Sequence, residues 1–441
     1  MRHSGNAGFT RGERIHRILS APVLLVLLAA LSFPSPAPAF YEAESADGSR
    51  SVEAVGSLRL TGAYLDAPDL PVFYANERDW LAAGVGRLIL DGALTPKIDF
   101  ECNAFLEVSR LPPLSVDGTF ATAGSVRSPY RTPYLTWDFW EEDEGRGQLG
   151  LDRFFLSLHT PPLQVSLGRM PINYSVTNIF TPNDFFAPFS PTAINKVYKP
   201  GVDAMRISLA TGMLGSVELV GALGSDTDGV PALDMSALMA RASLVRWNFQ
   251  WALLGGRLAE RWIAGGSLQG DVGRVGIRAE GHAGFPDPAG PGELRDASAY
   301  VHVAAGLDVP FTWRNAGVGA DYMFLSDGAD SPRGYILRAV ALYPDDLVYL
   351  GKHYVGLSAG GEILPILRVN LLGLVNAGDG SGLAALMFLW NMMDEADLAA
   401  GVMLPWGAGP TAGGGPKALP EINSEFGLMP ITVFLETRIY F

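Results

Sequence analysis

The 441-residue chain has one cysteine, few charged residues and, after its first forty positions, no long apolar run. One cysteine excludes an intrachain disulfide, so the fold must rely on backbone pairing and packing. The absence of eighteen uninterrupted apolar residues argues against a chain that crosses a membrane with helices. Charged residues make up only 18% of the chain, and Asp and Glu (46) outnumber Lys and Arg (32). Because nucleic-acid binding needs clustered Lys and Arg, the sequence predicts no nucleic-acid partner.

Motifs for cofactor, metal or nucleophile chemistry are missing as well. The sequence has no phosphate-cradling glycine loop, no zinc spacing and no cofactor fingerprint, so we expect no cofactor and no metal site. Four histidines follow residue 40, and none lies in a recognisable nucleophile context. A hydrolase would have to assemble a triad from distant segments, for example around His302 or His353. The sequence therefore predicts no catalytic residues, and an enzyme is retained only as an alternative.

The first 39 residues are typical of a secretory signal peptide. Four arginines form a basic lead, Ile18 to Leu31 form an apolar segment, and Ala37-Pro38-Ala39 is a small-x-small cleavage site. Cleavage after Ala39 would remove four Arg and Glu13, which moves the formal net charge from -14 to -17. We therefore expect an exported, acidic protein.

Beyond residue 40 the chain is a series of alternating segments of roughly ten residues, joined in turn by short and by long polar connections. In the clearest segment, 97–109, apolar Ile98, Phe100 and Leu106 alternate with polar Asp99 and Glu107. Eighteen strands are predicted, near 54–65, 84–94, 97–109, 149–159, 163–170, 201–210, 215–223, 237–246, 249–257, 260–270, 272–282, 297–308, 314–325, 353–361, 364–376, 383–391, 396–405 and 430–441. Sixteen is the next choice, since the number must be even if both chain ends lie on the same side of a membrane.

The last predicted strand alternates strictly and stops on an aromatic ring. Ile431, Val433, Leu435, Ile439 and Phe441 share one face, and Thr432, Glu436 and Arg438 share the other. This pattern is typical of a membrane strand with a lipid face and a wet face. The closing Phe441 resembles the terminal signal of bacterial outer-membrane β-barrels, in which the last strand pairs with the first. That resemblance implies recognition of this strand by the barrel-assembly machinery.

Together these patterns predict an all-β fold: a transmembrane antiparallel up-and-down β-barrel with short periplasmic turns, long extracellular loops and a single domain over 40–441. The stretch between Phe40 and the first strand is too short for the plug of an energy-coupled transporter. Within the connection 326–352, the run 335–342 is compatible with a short helix or with a strand. Aromatic residues fall near strand ends, as in the girdles of membrane barrels, at Trp247, Phe249, Trp251, Trp262, Trp390, Trp406 and Tyr440.

Three neighbouring stretches carry a more specific resemblance. They are Gly168-Arg169-Met170-Pro171-Ile172-Asn173, the Phe- and Pro-rich run 180–189 and Lys199-Pro-Gly-Val-Asp203. They are similar to the corresponding region of porin-like bacterial outer-membrane barrels, a family of largely uncharacterised function, and more distantly to alginate-export barrels. The resemblance extends to Ser424-Glu-Phe-Gly427 and the last strand. It implies the fold and a place in the outer membrane, among lipid and lipopolysaccharide, and leaves the solute open.

The long connection 171–200 is predicted to fold into the lumen, because a barrel of this width would otherwise enclose a wide hole. Phe185, Phe186, Pro188 and Phe189 are candidates to pin it to the inner wall. Six charged residues would then meet near the narrowest point: Arg169, Asp184, Lys196, Lys199, Asp203 and Arg206. Their charges either select solutes or pair with one another to hold the loop.

Pleat counting also places polar residues on the inner wall. Asp99, Glu101 and Glu107 form an acidic stripe on one strand, and Arg278 and Glu280 belong to another part of the wall. The stripe is either a path that prefers cations or part of a lining whose charges balance. The sequence thus predicts a channel for passive diffusion of small hydrophilic solutes or ions, with a non-conducting scaffold or surface-interaction barrel as the alternative. A homo-oligomer is compatible with the sequence.

Overall fold

The computed structural model describes residues 41–69, 74–112, 128–188, 198–226, 228–286, 298–341, 349–411 and 420–441. Within these ranges the chain forms one antiparallel sheet that closes on itself. Its strands are β1 (Tyr41–Glu44), β2 (Ser51–Asp66), β3 (Arg78–Thr95), β4 (Ile98–Arg110), β5 (Thr136–Glu141), β6 (Gly145–Thr160), β7 (Leu163–Met170), β8 (Val202–Ala210), β9 (Gly215–Ser225), β10 (Pro231–Arg246), β11 (Phe249–Leu258), β12 (Arg261–Val272), β13 (Val275–Pro286), β14 (Tyr300–Phe311), β15 (Ala316–Leu325), β16 (His353–Leu364), β17 (Leu367–Asn376), β18 (Gly382–Met393), β19 (Ala396–Trp406) and β20 (Ile431–Tyr440).

Eighteen of these strands, all except β1 and β5, make up the closed barrel, so the predicted fold class and strand number are confirmed. Each predicted strand has an observed counterpart, but several begin earlier than expected. β3 begins at Arg78, β6 at Gly145 and β10 at Pro231. These strands continue beyond the region where alternate residues meet lipid, and there the alternation that marks a strand in the sequence is lost.

The barrel closes between its first and last strands. β2 pairs with β20 over ten residues, from Ser57 opposite Tyr440 to Asp66 opposite Ile431. Beyond that ladder, the amide of Phe441 donates to the Gly56 carbonyl at 2.9 Å. On the N-terminal side of Gly56, β1 pairs with the first residues of β2, Ser51 to Ala54. The seam is therefore covered along the length of β2, and its backbone groups need no water.

The two faces of the wall differ as the alternation predicts. Outward-facing Leu253 is 75% exposed, and on β4 Leu106 and Val108 are exposed while Asn103 and Glu107 are buried on the inner face. The side chains of Trp247, Trp251, Trp262, Trp390, Trp406 and Tyr440 are all exposed. Such an apolar exterior is stable in hydrocarbon and not in water.

Residues 128–141 cover the part of β6 that β7 leaves unpaired. β7 ends at Met170, where the chain turns away from the sheet, whereas β6 extends far beyond the last residue that β7 reaches. β5 pairs with that free part of β6, from Thr136 opposite Gly150 to Glu141 opposite Arg146. Next to it, the Asp203 amide donates to the Tyr130 carbonyl at 2.8 Å. This segment thus takes the place that a longer β7 would occupy.

The run 335–342, which the sequence left open between helix and strand, contains the short helix α1 (Tyr335–Ala341), between β15 and β16. No helix among the described residues has the length and apolar character needed to span a membrane. Two apolar clusters lie inside the barrel: one joins residues of 170–187 to β8–β12, and the other joins Ile179 and Phe180 to β14–β18. The core of the protein is therefore formed partly by a segment within the lumen.

Candidate functional site

The segment 171–188 leaves β7 and reaches the far side of the barrel. The Asn183 side chain donates to the Gly266 carbonyl of β12 at 3.1 Å, and the Ile179 amide donates to Asp321 of β15 at 2.7 Å. β12 and β15 lie five and eight strands further round the wall than β7. In a ring of eighteen strands the opposite wall is nine strands away, so the contact with β15 means that the segment crosses almost the whole lumen. We therefore call residues 171–188 the lumen segment.

Two carboxylates of the far wall hold the lumen segment by its backbone. Glu280 of β13 accepts from the amides of Val176, Thr177 (3.3 Å) and Asn183 (3.2 Å) and from the Ser175 hydroxyl. Asp321 accepts from the Ile179 amide. Both carboxylates are buried. Hydrogen bonds to ionised groups contribute about 1.5–3 kcal/mol each, so these two side chains are strong anchors.

The close approach of the lumen segment requires glycine at two positions of the wall. A β-carbon at Gly306 of β14 would collide with the Asp321 carboxylate. At Gly356 of β16 it would lie 2.8 Å from Ile179 Cγ2 and 3.0 Å from Phe180 Cε2. Real Cβ atoms are essentially never found so close to such neighbours, so the missing side chains leave space for the anchoring Asp321 carboxylate at Gly306 and for the lumen segment itself at Gly356.

Aromatic rings complete the attachment. Phe185 lies edge-on to His282 of β13 with ring centroids 4.9 Å apart, and Phe186 lies edge-on to Tyr130 at 5.4 Å and to Tyr174 at 5.9 Å. Such pairs contribute about 0.5–1.5 kcal/mol beyond burial. Phe189, predicted to share this role, lies outside the described residues.

Arg169 and Asp203 form a complete bidentate pair where β7 leaves the wall. Arg169 Nε and Nη2 donate to the two Asp203 oxygens at 2.7 and 2.8 Å. The same guanidinium donates to the Leu151 carbonyl of β6 at 3.0 Å and to the Thr132 carbonyl at 2.7 Å. Arg169 is 1% exposed. This pair joins β6, β7, β8 and the segment 128–141 at one point.

We expect Arg169→Ala to destabilise the barrel by about 3–5 kcal/mol, because it takes the paired cation from the Asp203 carboxylate, which retains only hydrogen bonds such as that from the Thr132 amide. It also removes the donor to the Leu151 and Thr132 carbonyls. The measurement is the guanidinium midpoint of unfolding in detergent, followed by tryptophan fluorescence. Arg206→Ala removes a half-buried arginine from the same strand as Asp203 and serves as the control. Equal midpoints for Arg169→Ala and the parent would contradict this role.

The other predicted charges are distributed along the passage. The Lys199 ammonium pairs with Asp184 of the lumen segment and donates to the Ala187 carbonyl at 3.2 Å. Burial lowers the pKa of Lys199, and the Asp184 carboxylate opposes that shift. Arg206 lies on β8, opposite Ser166 of β7. Lys196 lies outside the described residues.

The acidic stripe of β4 is met by basic groups. Glu101 pairs with Arg153 of β6 at 3.0 Å, and Asp99, whose side chain is 54% exposed, lies 2.9 Å from His159. Glu107 is 2% exposed. The wall around β4 and β6 therefore carries both signs, and the exposed Asp99 is the member of the stripe most open to solvent.

A cluster of arginines next to the lumen segment was not foreseen from the sequence. Arg87 of β3 and Arg131 both pair with Asp152, at 2.5 and 2.8 Å. The guanidinium carbons of Arg87 and Arg153 lie 3.9 and 4.1 Å from the centre of the Tyr198 ring. A register shift between β4 and β6 falls at this point, and strict alternation would have separated the consecutive residues Asp152 and Arg153.

The described residues contain no group of three or more His, Cys, Asp or Glu side chains able to hold a metal ion. His302 pairs with Asp327 at 2.8 Å, and that carboxylate also binds Arg338 of α1. His353 lies 2.7 Å from the Tyr322 hydroxyl. His302 thus connects the wall with the β15–β16 loop and α1, and His353 connects two neighbouring strands of the wall.

A closed ring with an apolar exterior, a polar inner wall and an internal segment across it defines the class of porin-like transmembrane β-barrels. No protein-family model matches the sequence, and no curated protein sequence matches it. Solved structures of outer-membrane porins have the same fold.

Three of these structures are quoted for comparison. Pseudomonas aeruginosa OccK2 (OpdF) has a TM-score of 0.54 and 10% identity, over 88% of this chain and 97% of that one. OccK2 in complex with glucuronate gives 0.52, with the same identity and coverage. Acinetobacter baumannii OccAB4 gives 0.52 and 10% identity, over 88% of this chain and 98% of that one. At such low identity the likeness shows the fold alone.

Proposed function

We propose that this protein is a bacterial outer-membrane channel through which small hydrophilic solutes or ions diffuse passively. The observation that carries the proposal is the lumen segment, anchored across a closed barrel whose exterior is apolar. Eighteen strands enclose enough space for an aqueous passage, and a segment across it narrows that passage to the size of a small solute. The glucuronate bound by OccK2, a barrel of the same fold, supports this solute class.

The same proposal includes the route of the protein to the membrane and its surroundings there. The signal peptide with cleavage after Ala39 lies outside the described residues and accounts for export. Outer-membrane lipid and lipopolysaccharide would surround the apolar exterior, and the strand ending in Phe441 would address the chain to the barrel-assembly machinery. A homo-oligomer and the distant similarity to alginate-export barrels stay predictions, as does the absence of enzymatic activity.

We further propose that the charged residues predicted from the sequence influence which ions pass. Asp184 and Lys199 are the informative members, because they pair within the lumen and carry opposite charges. Removal of one takes away a charge that offsets the other. The two single variants therefore form a matched pair with opposite expected effects on selectivity.

Purified protein in planar bilayers should show stepwise conductance. Under a KCl gradient, Lys199→Ala should move the reversal potential toward cation selectivity and Asp184→Ala toward anion selectivity, since each leaves the opposite charge beside the passage. Lack of conductance by folded, heat-modifiable protein would reject the channel. Conductance with identical reversal potentials in all three proteins would keep the channel and reject the role of the pair.

A non-conducting barrel is the second candidate, and one observation favours it. The two apolar clusters within the barrel occupy part of the lumen, and the second includes Phe426 from the loop before β20. A barrel filled in this way would serve as a scaffold or present its loops to other molecules. Silence in the bilayer experiment supports this candidate, whereas lipid or peptide turnover that is lost on substitution of His302 or His353 would favour an enzyme.

A further inference from the structure

Glu425 is a buried carboxylate at one end of the barrel, where the connections that follow β15, β17 and β19 meet. Its Oε1 accepts from the Leu350 amide at 3.1 Å. Its Oε2 accepts from the Tyr354 hydroxyl at 2.5 Å and from the Asn376 side-chain amide at 2.7 Å. Leu350 belongs to the β15–β16 loop, Asn376 ends β17, and Glu425 lies in the β19–β20 loop. One side chain thus connects segments that are far apart in the sequence.

A second carboxylate lies in the same network. Asp379 of the β17–β18 loop accepts from the Glu425 amide at 2.8 Å and from the Tyr335 hydroxyl of α1 at 2.8 Å. The titratable groups that face Glu425 are therefore Tyr335, Tyr349, Tyr354 and Asp379. Among the described residues no Lys, Arg or His side chain pairs with Glu425. We call Glu425 and its hydrogen-bond partners the loop clasp.

The loop clasp is in contact with the tip of the lumen segment. The ring of Phe180 lies 5.7 Å from that of Tyr349 and 6.1 Å from that of Tyr354, and the Tyr349 and Tyr354 rings lie 4.7 Å apart. Phe426, next to Glu425, belongs to the same buried cluster as Phe180. A change in the position of Tyr354 or Phe426 therefore alters the packing of Phe180 in the lumen segment.

We propose that Glu425 is a positioning residue of the channel: its carboxyl group, when protonated, closes the loop clasp over the lumen segment, and loss of the proton loosens both. This inference rests on the proposed function, because it concerns the width of the same passage. The occupant of the site is the proton alone. No other ligand is required.

The electrostatics of the site support this direction. Burial raises the pKa of Glu425 from its ordinary value of 4.5 to about 7, although the hydrogen bonds from Tyr354, Leu350 and Asn376 lower it. The closed clasp therefore binds a proton more tightly than loops open to water. Its stabilisation is complete below pH 4.5 and is lost as the pH rises to about 7, at about tenfold in the closed-to-open ratio for each pH unit.

The first test is single-channel conductance as a function of pH on the extracellular side. The parent should show a higher mean conductance at pH 8 than at pH 5, with a midpoint near neutrality. Glu425→Gln, which stays uncharged, should remain in the low-conductance state at both values. Glu421→Gln removes an exposed carboxylate from the same loop and should respond as the parent does. Tyr354→Phe removes a donor that favours the carboxylate, so its midpoint should move to higher pH.

The second test does not depend on conductance. The Leu350 amide donates to Glu425, so its hydrogen exchange, corrected for the intrinsic effect of pH, should become faster at pH 8 in the parent and not in Glu425→Gln. Conductance that is independent of pH, together with unchanged exchange, would overturn the clasp and leave the channel intact. Exchange that responds to pH in a protein that never conducts would support the clasp and reject the channel. If the conductance of Glu425→Gln changes with pH at the same midpoint as that of the parent, another group is responsible for the pH response and the inference is overturned.

Discussion

Simultaneous replacement of Glu280 and Asp321 by alanine should raise the single-channel conductance several-fold. The two carboxylates accept from the backbone of the lumen segment at residues 176, 177, 179 and 183. Each such bond contributes about 1.5–3 kcal/mol, so their joint loss removes most of the polar attachment to the far wall. The lumen segment would then leave the passage. Conductance and the size of the polymer that enters the pore are the two measurements.

Two further variants make this result specific. Asp271→Ala with Glu362→Ala removes two carboxylates from β12 and β16 of the same side of the barrel, where neither contacts the lumen segment, and should leave the conductance as it is. Glu280→Gln with Asp321→Asn retains one acceptor oxygen on each side chain. Its conductance should lie between the conductances of the two double alanine variants. Equal conductance of the parent and the double alanine variant would show that these carboxylates do not hold the segment, or that the segment does not narrow the passage.

The strands could be predicted from the sequence because lipid imposes alternation on every one of them. Each of the eighteen predicted segments corresponds to an observed strand, and Glu280 falls on the inner wall as pleat counting placed it. The prediction failed where that constraint ends. β5 lies in a stretch interpreted as a loop, and it pairs with β6 because β7 is too short to do so.

The site was less accessible to sequence reasoning, because its contacts join residues that are distant in the chain. Arg169 and Asp203 could be recognised as candidates since both flank the lumen segment. The arginines around Asp152 could not, because Arg131 lies in a connection without periodicity and Arg153 follows a register shift. Glu425 was noted only as part of a four-residue resemblance. Its burial and its partners Leu350 and Tyr354 depend on three loops whose packing no local pattern reveals.

Glu436→Ala should be the most destabilising single change at the closing seam. Glu436 of β20 is 2% exposed, its Oε2 accepts from the Thr61 hydroxyl of β2 at 2.9 Å, and its Oε1 accepts from Arg438 at 2.6 Å. Arg59 of β2 lies 3.8 Å away. Removal of the carboxylate would take from Arg438 the carboxylate it binds and from Arg59 the carboxylate beside it, at a cost of about 3–5 kcal/mol. Because the first and last strands meet here, the loss falls on the only pairing that links the two ends of the described barrel.

The expected outcome is a large drop in the guanidinium midpoint of unfolding and partial loss of heat-modifiable migration in gels, which reports the closed barrel. Asp99→Ala removes an exposed carboxylate from a pair with His159, away from the seam, and should change the free energy of unfolding by less than about 1 kcal/mol. Glu436→Gln keeps the bond from Thr61 and loses only the charge, so its midpoint should fall between those of the parent and Glu436→Ala. If Glu436→Ala and Asp99→Ala prove equally stable, the seam is held by its backbone ladder alone, and the charges of β20 belong to the passage.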